Sequence, residues 1–212
     1  MQPQFPHLYL IGLTGNIGCG KSTVVGLLVA RGAHVIDADA VTRQVMDVGQ
    51  PAYRRIVDVF GEAILQSPAG PIDRPALGRV VFGEPAKLRE LEAIVHPATR
   101  NLILAWLSEQ DTHAAHQARR EVAVVDAIRL IEAGYPAFCD AVWVVTCDPA
   151  VQLRRLVEQR GMSEVDARQR IKAQPPQSTK IAVADVVIDN SGTLEQSEQQ
   201  VEAAWEAVQQ RL

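Results

Sequence analysis

Gly15-Asn16-Ile17-Gly18-Cys19-Gly20-Lys21-Ser22 puts two glycines, with four residues between them, ahead of a Lys-Ser pair, the spacing of a loop that wraps phosphate. The residues before it, Leu8-Tyr9-Leu10-Ile11-Gly12-Leu13, read as a short buried strand. Those after it, Thr23 to Ala30, carry apolar side chains at helical spacing. Strand, glycine loop and helix in that order point to an α/β fold with its chemistry at the carboxyl ends of the strands.

Each residue type in the loop has a physical task. Glycine tolerates positive φ and has no Cβ, so the backbone can close around an anion and aim its amide hydrogens inward. The following helix adds unpaired N–H groups and the positive end of its dipole. The Lys21 ammonium reaches the β- and γ-phosphates as a mobile point charge, and Ser22 is placed to ligate Mg²⁺. The expected nucleotide-binding set is therefore Gly15, Asn16, Ile17, Gly18, Cys19, Gly20, Lys21, Ser22 and Thr23. Cys19 lies near a helix end that lowers thiol pKa values, but it reads as a small, variable loop residue.

The chain has 212 residues and is 47% hydrophobic, enough for one well-packed core with an insertion. Its formal net charge of −4 argues against a general nucleic-acid binder. Three cysteines, Cys19, Cys139 and Cys147, have neither zinc-ligand spacing nor the density of a disulfide framework, so a reducing cytoplasm is expected. Met1 to His7 lacks the basic-then-apolar pattern of an export signal, and no apolar stretch approaches the ~20 residues of a membrane span. A protein without membrane contacts is expected, as a monomer or small homo-oligomer.

After the first helix, Ala33-His34-Val35-Ile36 reads as a second strand delivering Asp37-Ala38-Asp39 at its carboxyl end. If this strand neighbours the first, alternation along extended chain turns Asp37 and Asp39 together toward the phosphate loop. One of the pair also suits a helix cap. From Asp47 to Gln117, proline and glycine punctuate helical stretches with no central strand, which reads as a helical insertion. One amphipathic helix is expected to end before His96-Pro97, and Pro97 to open the next. A third strand, Val122 to Val125, ends in Asp126, an acidic group for Mg²⁺, directly or through water. A fourth covers Ala141 to Thr146 and a fifth Asp185 to Asn190. Between them lies a helical hairpin rich in arginine, including Arg155, Arg160, Arg168 and Arg170, with Ser163 and Asp166 as a capping pair. Guanidinium groups on such a hairpin can close on a triphosphate. The final helix, Leu194 to Leu212, is amphipathic through Val201, Ala204, Trp205 and Val208.

Taken together, the motifs resemble those of the dephospho-CoA kinase family over nearly the whole chain, from Gly12 through Gly192. The match rests on the loop from Gly12 to Thr23, Val35-Ile36-Asp37-Ala38-Asp39 with Arg43, and Ile72-Asp73-Arg74 with Leu77-Gly78. It continues through Leu91-Glu92 with His96-Pro97, then Arg155, Arg170, Gln174 and Lys180, and Ala184-Asp185 with Ile188-Asp189-Asn190. Asn16 stands where a glycine is usual and Cys19 where serine is common. Ile128-Arg129-Leu130-Ile131-Glu132 departs from the family's usual Pro-Leu-Leu run before its Glu.

The resemblance implies a phosphate-loop nucleoside-triphosphatase-type three-layer α/β fold with a five-stranded parallel sheet, a helical acceptor-binding insertion and a helical lid. The expected boundaries are 7–46 and 118–212 for the nucleotide-binding core, about 149–178 for the lid and 47–117 for the insertion. It implies ATP-dependent phosphorylation of the ribose 3′-hydroxyl of dephospho-CoA, the last step of CoA synthesis, with ATP and Mg²⁺. Lys21, Asp39 and Arg155 would then act in catalysis, and Ser22 and Asp126 would hold the metal. Asp37, Asp39, Arg43, His96, Arg129 and Glu132 would meet the acceptor, with Asn190 near the adenine. Spacing alone does not choose between Asp37 and Asp39; the resemblance places the second at the acceptor hydroxyl. A kinase of another small acceptor, such as a nucleoside monophosphate, and a nucleotide-dependent switch are the other readings.

Overall fold

Strand β1, Leu8–Gly15, is buried along its whole length because it is hydrogen-bonded on both edges at the centre of the sheet. The computed structural model describes residues 4–212; Met1, Gln2 and Pro3, on which part of the export-signal reading rests, lie outside the described residues. Strand β2 covers His34–Asp37, β3 Glu121–Asp126, β4 Ala141–Thr146 and β5 Val186–Asp189. The sheet is parallel, with the order β2-β3-β1-β4-β5. Leu13 faces Asp126 across the β1–β3 ladder, and Gly15 faces Val145 across the β1–β4 ladder.

That order corrects one expectation. β3, not β2, lies beside β1, so the carboxylate on the strand next to the loop is Asp126 rather than Asp37 or Asp39. The burial of the strands explains it. Glu121-Val122-Ala123-Val124-Val125 is buried throughout and needs the doubly covered central slot, whereas His34-Val35-Ile36 is only half-buried and suits the edge. The chain is also no longer extended at Asp39. Helix α2, Ala38–Gln44, begins at Ala38, and the Asp37 carboxylate caps it by accepting the Ala40 N–H at 3.0 Å. Strand alternation therefore does not link Asp37 to Asp39.

Helix α1, Lys21–Ala30, follows the loop directly. Helices α3, Pro51–Phe60, and α4, Arg74–Phe82, come next, and Asp73 caps α4 through the Ala76 N–H at 3.1 Å. Helix α5 runs unbroken from Pro85 to His116 with Pro97 inside it, which overturns the expected break at that residue. A proline interrupts one backbone bond and crowds the carbonyl four residues earlier, at a cost of about 3 kcal/mol. Burial on both sides of it, at Ile94, Val95 and Ile103, offsets that cost at about 1.5–3 kcal/mol per large apolar side chain.

The segment expected to form the lid begins with α6, Pro149–Arg154, capped by Asp148, and then widens into a π-helical turn, Arg155–Gln159. Helix α7, Glu164–Lys172, is capped by Ser163, whose hydroxyl oxygen accepts the Asp166 N–H at 3.1 Å. The reciprocal half of the expected capping pair is replaced. Asp166 takes the Ser163 hydroxyl at 2.7 Å, the shorter carboxylate staying on its own side of the turn. Helix α8, Gln177–Ile181, is a short element that the prolines ahead of it concealed. Helix α9, Leu194–Gln209, starts from a full capping box between Thr193 and Gln196 and buries Val201, Trp205 and Val208. These residues share a core with Leu13, Val24, Leu28, Trp143, Val145 and Ile188.

The structure divides into two compact units. One holds Leu107–Leu212 together with the chain up to Ile36, and the other spans Asp37–Trp106. The second has its own buried set, including Val41, Tyr53, Ile56, Ile64, Leu77 and Ile94, and the Tyr53 hydroxyl donates to the Gly70 carbonyl at 2.6 Å. No helix among the described residues is long and apolar enough to cross a membrane.

Candidate active site

The loop between β1 and α1 is shaped by contacts that only glycine permits. A Cβ on Gly15 would lie 2.5 Å from the Val145 carbonyl oxygen. At Gly20 the backbone sits at φ +86°, and a Cβ there would fall 1.8 Å from the Asn190 amide nitrogen. Gly18, at φ +77°, supplies the other left-handed turn.

Side chains then hold the carbonyl side of the loop. The Asn190 amide donates to the Cys19 carbonyl at 2.9 Å and accepts the Ser197 hydroxyl at 2.7 Å. The Arg155 guanidinium donates to the Asn190 carbonyl at 2.8 Å and to the Cys19 carbonyl at 3.4 Å. Inside the loop, the Cys19 N–H is taken by the Asn16 carbonyl at 3.1 Å. The N–H groups of Gly18, Gly20, Lys21 and Ser22 meet no protein acceptor among the described residues. Their hydrogens are left for an anion, at a helix start that carries no acidic residue in its first turn.

The Lys21 ammonium is paired with the Asp126 carboxylate at the end of β3, both side chains being largely buried. Ser22 is exposed one residue further on. One hydroxyl and one carboxylate form no cage, and no group of three or more His, Cys, Asp or Glu among the described residues could hold a metal ion. That sparse donor set fits Mg²⁺, which keeps waters and substrate phosphates and takes only one or two protein ligands.

A strap from the far side of the lid closes on the same loop. Gln174 Oε1 accepts the Ile17 N–H at 2.8 Å, and the Asn16 amide donates to the Pro175 carbonyl at 2.9 Å. Gln152 donates to the Ile17 carbonyl at 2.6 Å, and Gln177 accepts from the Thr146 hydroxyl and from the Cys147 N–H at 3.2 Å. Lys180 is buried, with Nζ donating to Thr14 Oγ1 at 3.0 Å and to the Ile128 carbonyl. Sequence reasoning gave these glutamines and this lysine no role. The resemblance marked Gln174 and Lys180 as matching positions, and nothing in their spacing signals burial.

Several expected site residues come together in this unit: the loop, Lys21, Ser22, Asp126, Arg155 and Asn190. Arg155 is spent on two backbone carbonyls, and Arg168 on Glu164 at 2.6 Å within α7. Arg129 and Glu132 are exposed on the turn after β3, whose Ile128 carbonyl is tied to Thr14 at 3.0 Å. Asp37, Asp39, Arg43 and His96 belong to the other unit. There Asp37 and Arg43 are half-exposed and lie 3.8 Å apart, Asp39 stands in the first turn of α2, and His96 is exposed. The same unit holds a cavity of about 310 Å³ bordered by Val45, Pro51, Arg55, Ile94, Pro97 and Leu102, residues to which the sequence reading gave no binding role.

Two thiols are strongly perturbed. A hydrogen bond from Cys147 holds the Cys19 thiol below its ordinary range against the opposing effect of burial, with help from backbone amides and the Arg155 charge. The same hydrogen bond, together with burial, pushes Cys147 up.

Comparison with known proteins agrees with this geometry. The dephospho-CoA kinase family model matches residues 9–196. Dephospho-CoA kinase of Geobacter sulfurreducens is 45% identical over 196 residues, 92% of this chain and 96% of its own length. That of Moorella thermoacetica is 40% identical over 205 residues, covering 97% and 94% of the two chains. Among solved structures, a Thermus thermophilus protein superposes with a TM-score of 0.79 at 32% identity, over 97% of this chain and 98% of its own. Dephospho-CoA kinase from Campylobacter jejuni shares the fold, with a TM-score of 0.61 at 23% identity over 95% and 98% of the two chains. With a family model that covers residues 9–196 and relatives that match the chain nearly end to end, the chain belongs to the dephospho-CoA kinase family.

Proposed function

We propose that the loop amides and Lys21 grip the β- and γ-phosphates of ATP while Asp39 orients the ribose 3′-hydroxyl of dephospho-CoA and accepts its proton. Phosphoryl transfer asks for in-line positioning and charge neutralisation rather than covalent work. The N–H groups of Gly18, Gly20, Lys21 and Ser22, around a largely buried lysine side chain, carry this reading, since they meet no competing acceptor among the described residues. To bind phosphate, Lys21 exchanges the Asp126 carboxylate for the γ-phosphate. Asp126 and the Ser22 hydroxyl would then hold Mg²⁺. Mg²⁺, when bound, would neutralise the charge that develops on the transferring phosphate.

Asp37, as the α2 cap, is the less suitable proton acceptor of the two, because its carboxylate is engaged by the Ala40 N–H. Arg43, His96, Arg129 and Glu132 are assigned to the acceptor. Arg155 and Asn190 are assigned to the ATP side, acting through the Cys19 carbonyl that both of them hold. The Asp37–Trp106 unit is assigned to the acceptor, with its cavity taking an apolar part of that molecule. All three cysteines are free, which suits a reducing cytoplasm.

The test is turnover with ATP and Mg²⁺ against a panel of dephospho-CoA, nucleoside monophosphates and water. Steady production of CoA with phosphate on the 3′-hydroxyl is expected. Transfer only to nucleoside monophosphates, or hydrolysis alone, would contradict the assignment.

A further inference from the structure

Gln152, in α6, is 2% exposed, a burial unusual for glutamine. Its helix lies against the phosphate loop: a Cβ on Gly18 would come within 3.2 Å of the Gln152 carbonyl oxygen. Neighbours fix which way the Gln152 amide points. Gln177 Oε1 accepts the Thr146 hydroxyl and, at 3.2 Å, the Cys147 N–H. Gln177 Nε2 is thereby turned to the Cys147 carbonyl at 3.1 Å and to Gln152 Oε1 at 3.4 Å. With its oxygen facing that donor, Gln152 presents Nε2 to the Ile17 carbonyl at 2.6 Å.

That carbonyl belongs to the same peptide unit as the Gly18 N–H. In a planar trans peptide the C=O and N–H point in opposite directions, and no peptide bond among the described residues is cis. A side chain that holds the Ile17 oxygen therefore turns the Gly18 hydrogen away from itself, to where no acceptor among the described residues meets it. Local sterics restrain this plane poorly, because it adjoins a glycine at φ +77°. The hold has to come from outside the loop. The Cys19–Gly20 peptide is built the same way: Asn190 and Arg155 hold the Cys19 carbonyl, and the Gly20 N–H is left facing the opposite side.

We propose, on the reading that the loop grips the phosphates of ATP, that Gln152 is a positioning residue which aims the Gly18 N–H at phosphate through the Ile17–Gly18 peptide plane. It touches no phosphate itself. Its effect is preorganisation: a donor fixed before the charged ligand arrives needs no reorientation when it binds. Gln177 acts one step further back, by keeping the Gln152 oxygen engaged so that the nitrogen faces the loop.

The test is amide NMR on the isotope-labelled full chain, titrated with inorganic tripolyphosphate, which carries the phosphates of ATP without the nucleoside. In the wild type the Gly18 and Gly20 amide protons should move downfield, while the Ile17 amide, already bonded to Gln174, stays in place. Gln152→Met keeps a side chain of similar length and removes its donor. It should weaken tripolyphosphate and ATP binding by about tenfold, the loss of one hydrogen bond to a charged group. The Gly18 shift should vanish, the Gly20 shift persist, and the KM for dephospho-CoA stay unchanged. Gln177→Met should show the same selective loss at Gly18. An unchanged tripolyphosphate affinity in Gln152→Met with the Gly18 shift intact would overturn the proposal. So would a joint loss of the Gly18 and Gly20 shifts with equal rises in KM for both substrates, the mark of a purely structural role. If neither variant folds, a wild-type Gly18 amide that stays put while that of Gly20 moves would overturn it as well. A wild type in which tripolyphosphate moves none of the loop amides would instead bring down the reading of the loop itself, and this assignment with it.

Discussion

At the scale of single residues, two buried charges set off by their surroundings give the sharpest expectations. Glu121, at the start of β3, is nearly fully buried, yet Arg119 and His34 both hold its carboxylate, at 2.6 and 2.9 Å. Burial pushes its pKa up, and the hydrogen bonds and charges of Arg119 and His34 together outweigh that and hold it below the usual carboxylate range. A carboxylate whose folded pKa is depressed adds stability above its unfolded pKa, and that stability is lost as pH falls through the folded value. Glu121→Gln should therefore flatten the acid side of the stability profile, seen as a urea midpoint that falls less steeply below the ordinary carboxylate pKa than in the wild type. Lys180 is the second case. Lys180→Met removes the charged donor from the Thr14 hydroxyl and the Ile128 carbonyl, which keep only their bond to each other, and should cost about 1–3 kcal/mol in a denaturant melt. An unchanged midpoint would place the lysine outside the support of the loop. The glycine loop was legible from the sequence, because Gly15, Gly18 and Gly20 answer local backbone needs. Lys180 and Gln174 were not, because lysine and glutamine usually face water and only tertiary contacts reveal their burial.

At the scale of elements, the strands were readable as continuous apolar runs and the main helices as periodic stripes. What composition did not contain was neighbour order: β2 looked able to lie beside β1, and the fully buried β3 outcompeted it. Pro97 misled in the opposite direction, because a local rule against proline yields to packing along α5. The strap from Gln174 to Lys180 is where lid and loop meet, and Gln174→Ala removes the acceptor of the Ile17 N–H. That change should raise the KM for ATP several-fold, within the roughly 1–3 kcal/mol cost of an unsatisfied buried amide, and leave the KM for dephospho-CoA near its starting value. Equal increases in both would assign the strap to overall stability instead.

For the whole molecule, the sequence reading expected a nucleotide-binding core and a helical insertion over 47–117, and the structure divides into two compact units, one of them Asp37–Trp106. The sequence did not show the cavity in the Asp37–Trp106 unit, because its lining is drawn from α3, α5 and the residues around Val45. Division of labour between the units predicts separable defects. Leu102→Asp puts a charge on the partly buried lining of that cavity and should raise the KM for dephospho-CoA by tenfold or so, a cost of about 1.4 kcal/mol, with ATP affinity preserved. A matching loss of ATP affinity would show that the units do not separate the two substrates.

The most direct measurement is of kcat and ATP affinity in Asp39→Asn. The variant keeps the shape of the side chain and removes its ability to take a proton. A fall in kcat of roughly 10²–10⁴-fold, with the ATP dissociation constant unchanged, is the expected result. An equal loss of both would make Asp39 part of the nucleotide site, and an unchanged kcat would remove it from the chemistry.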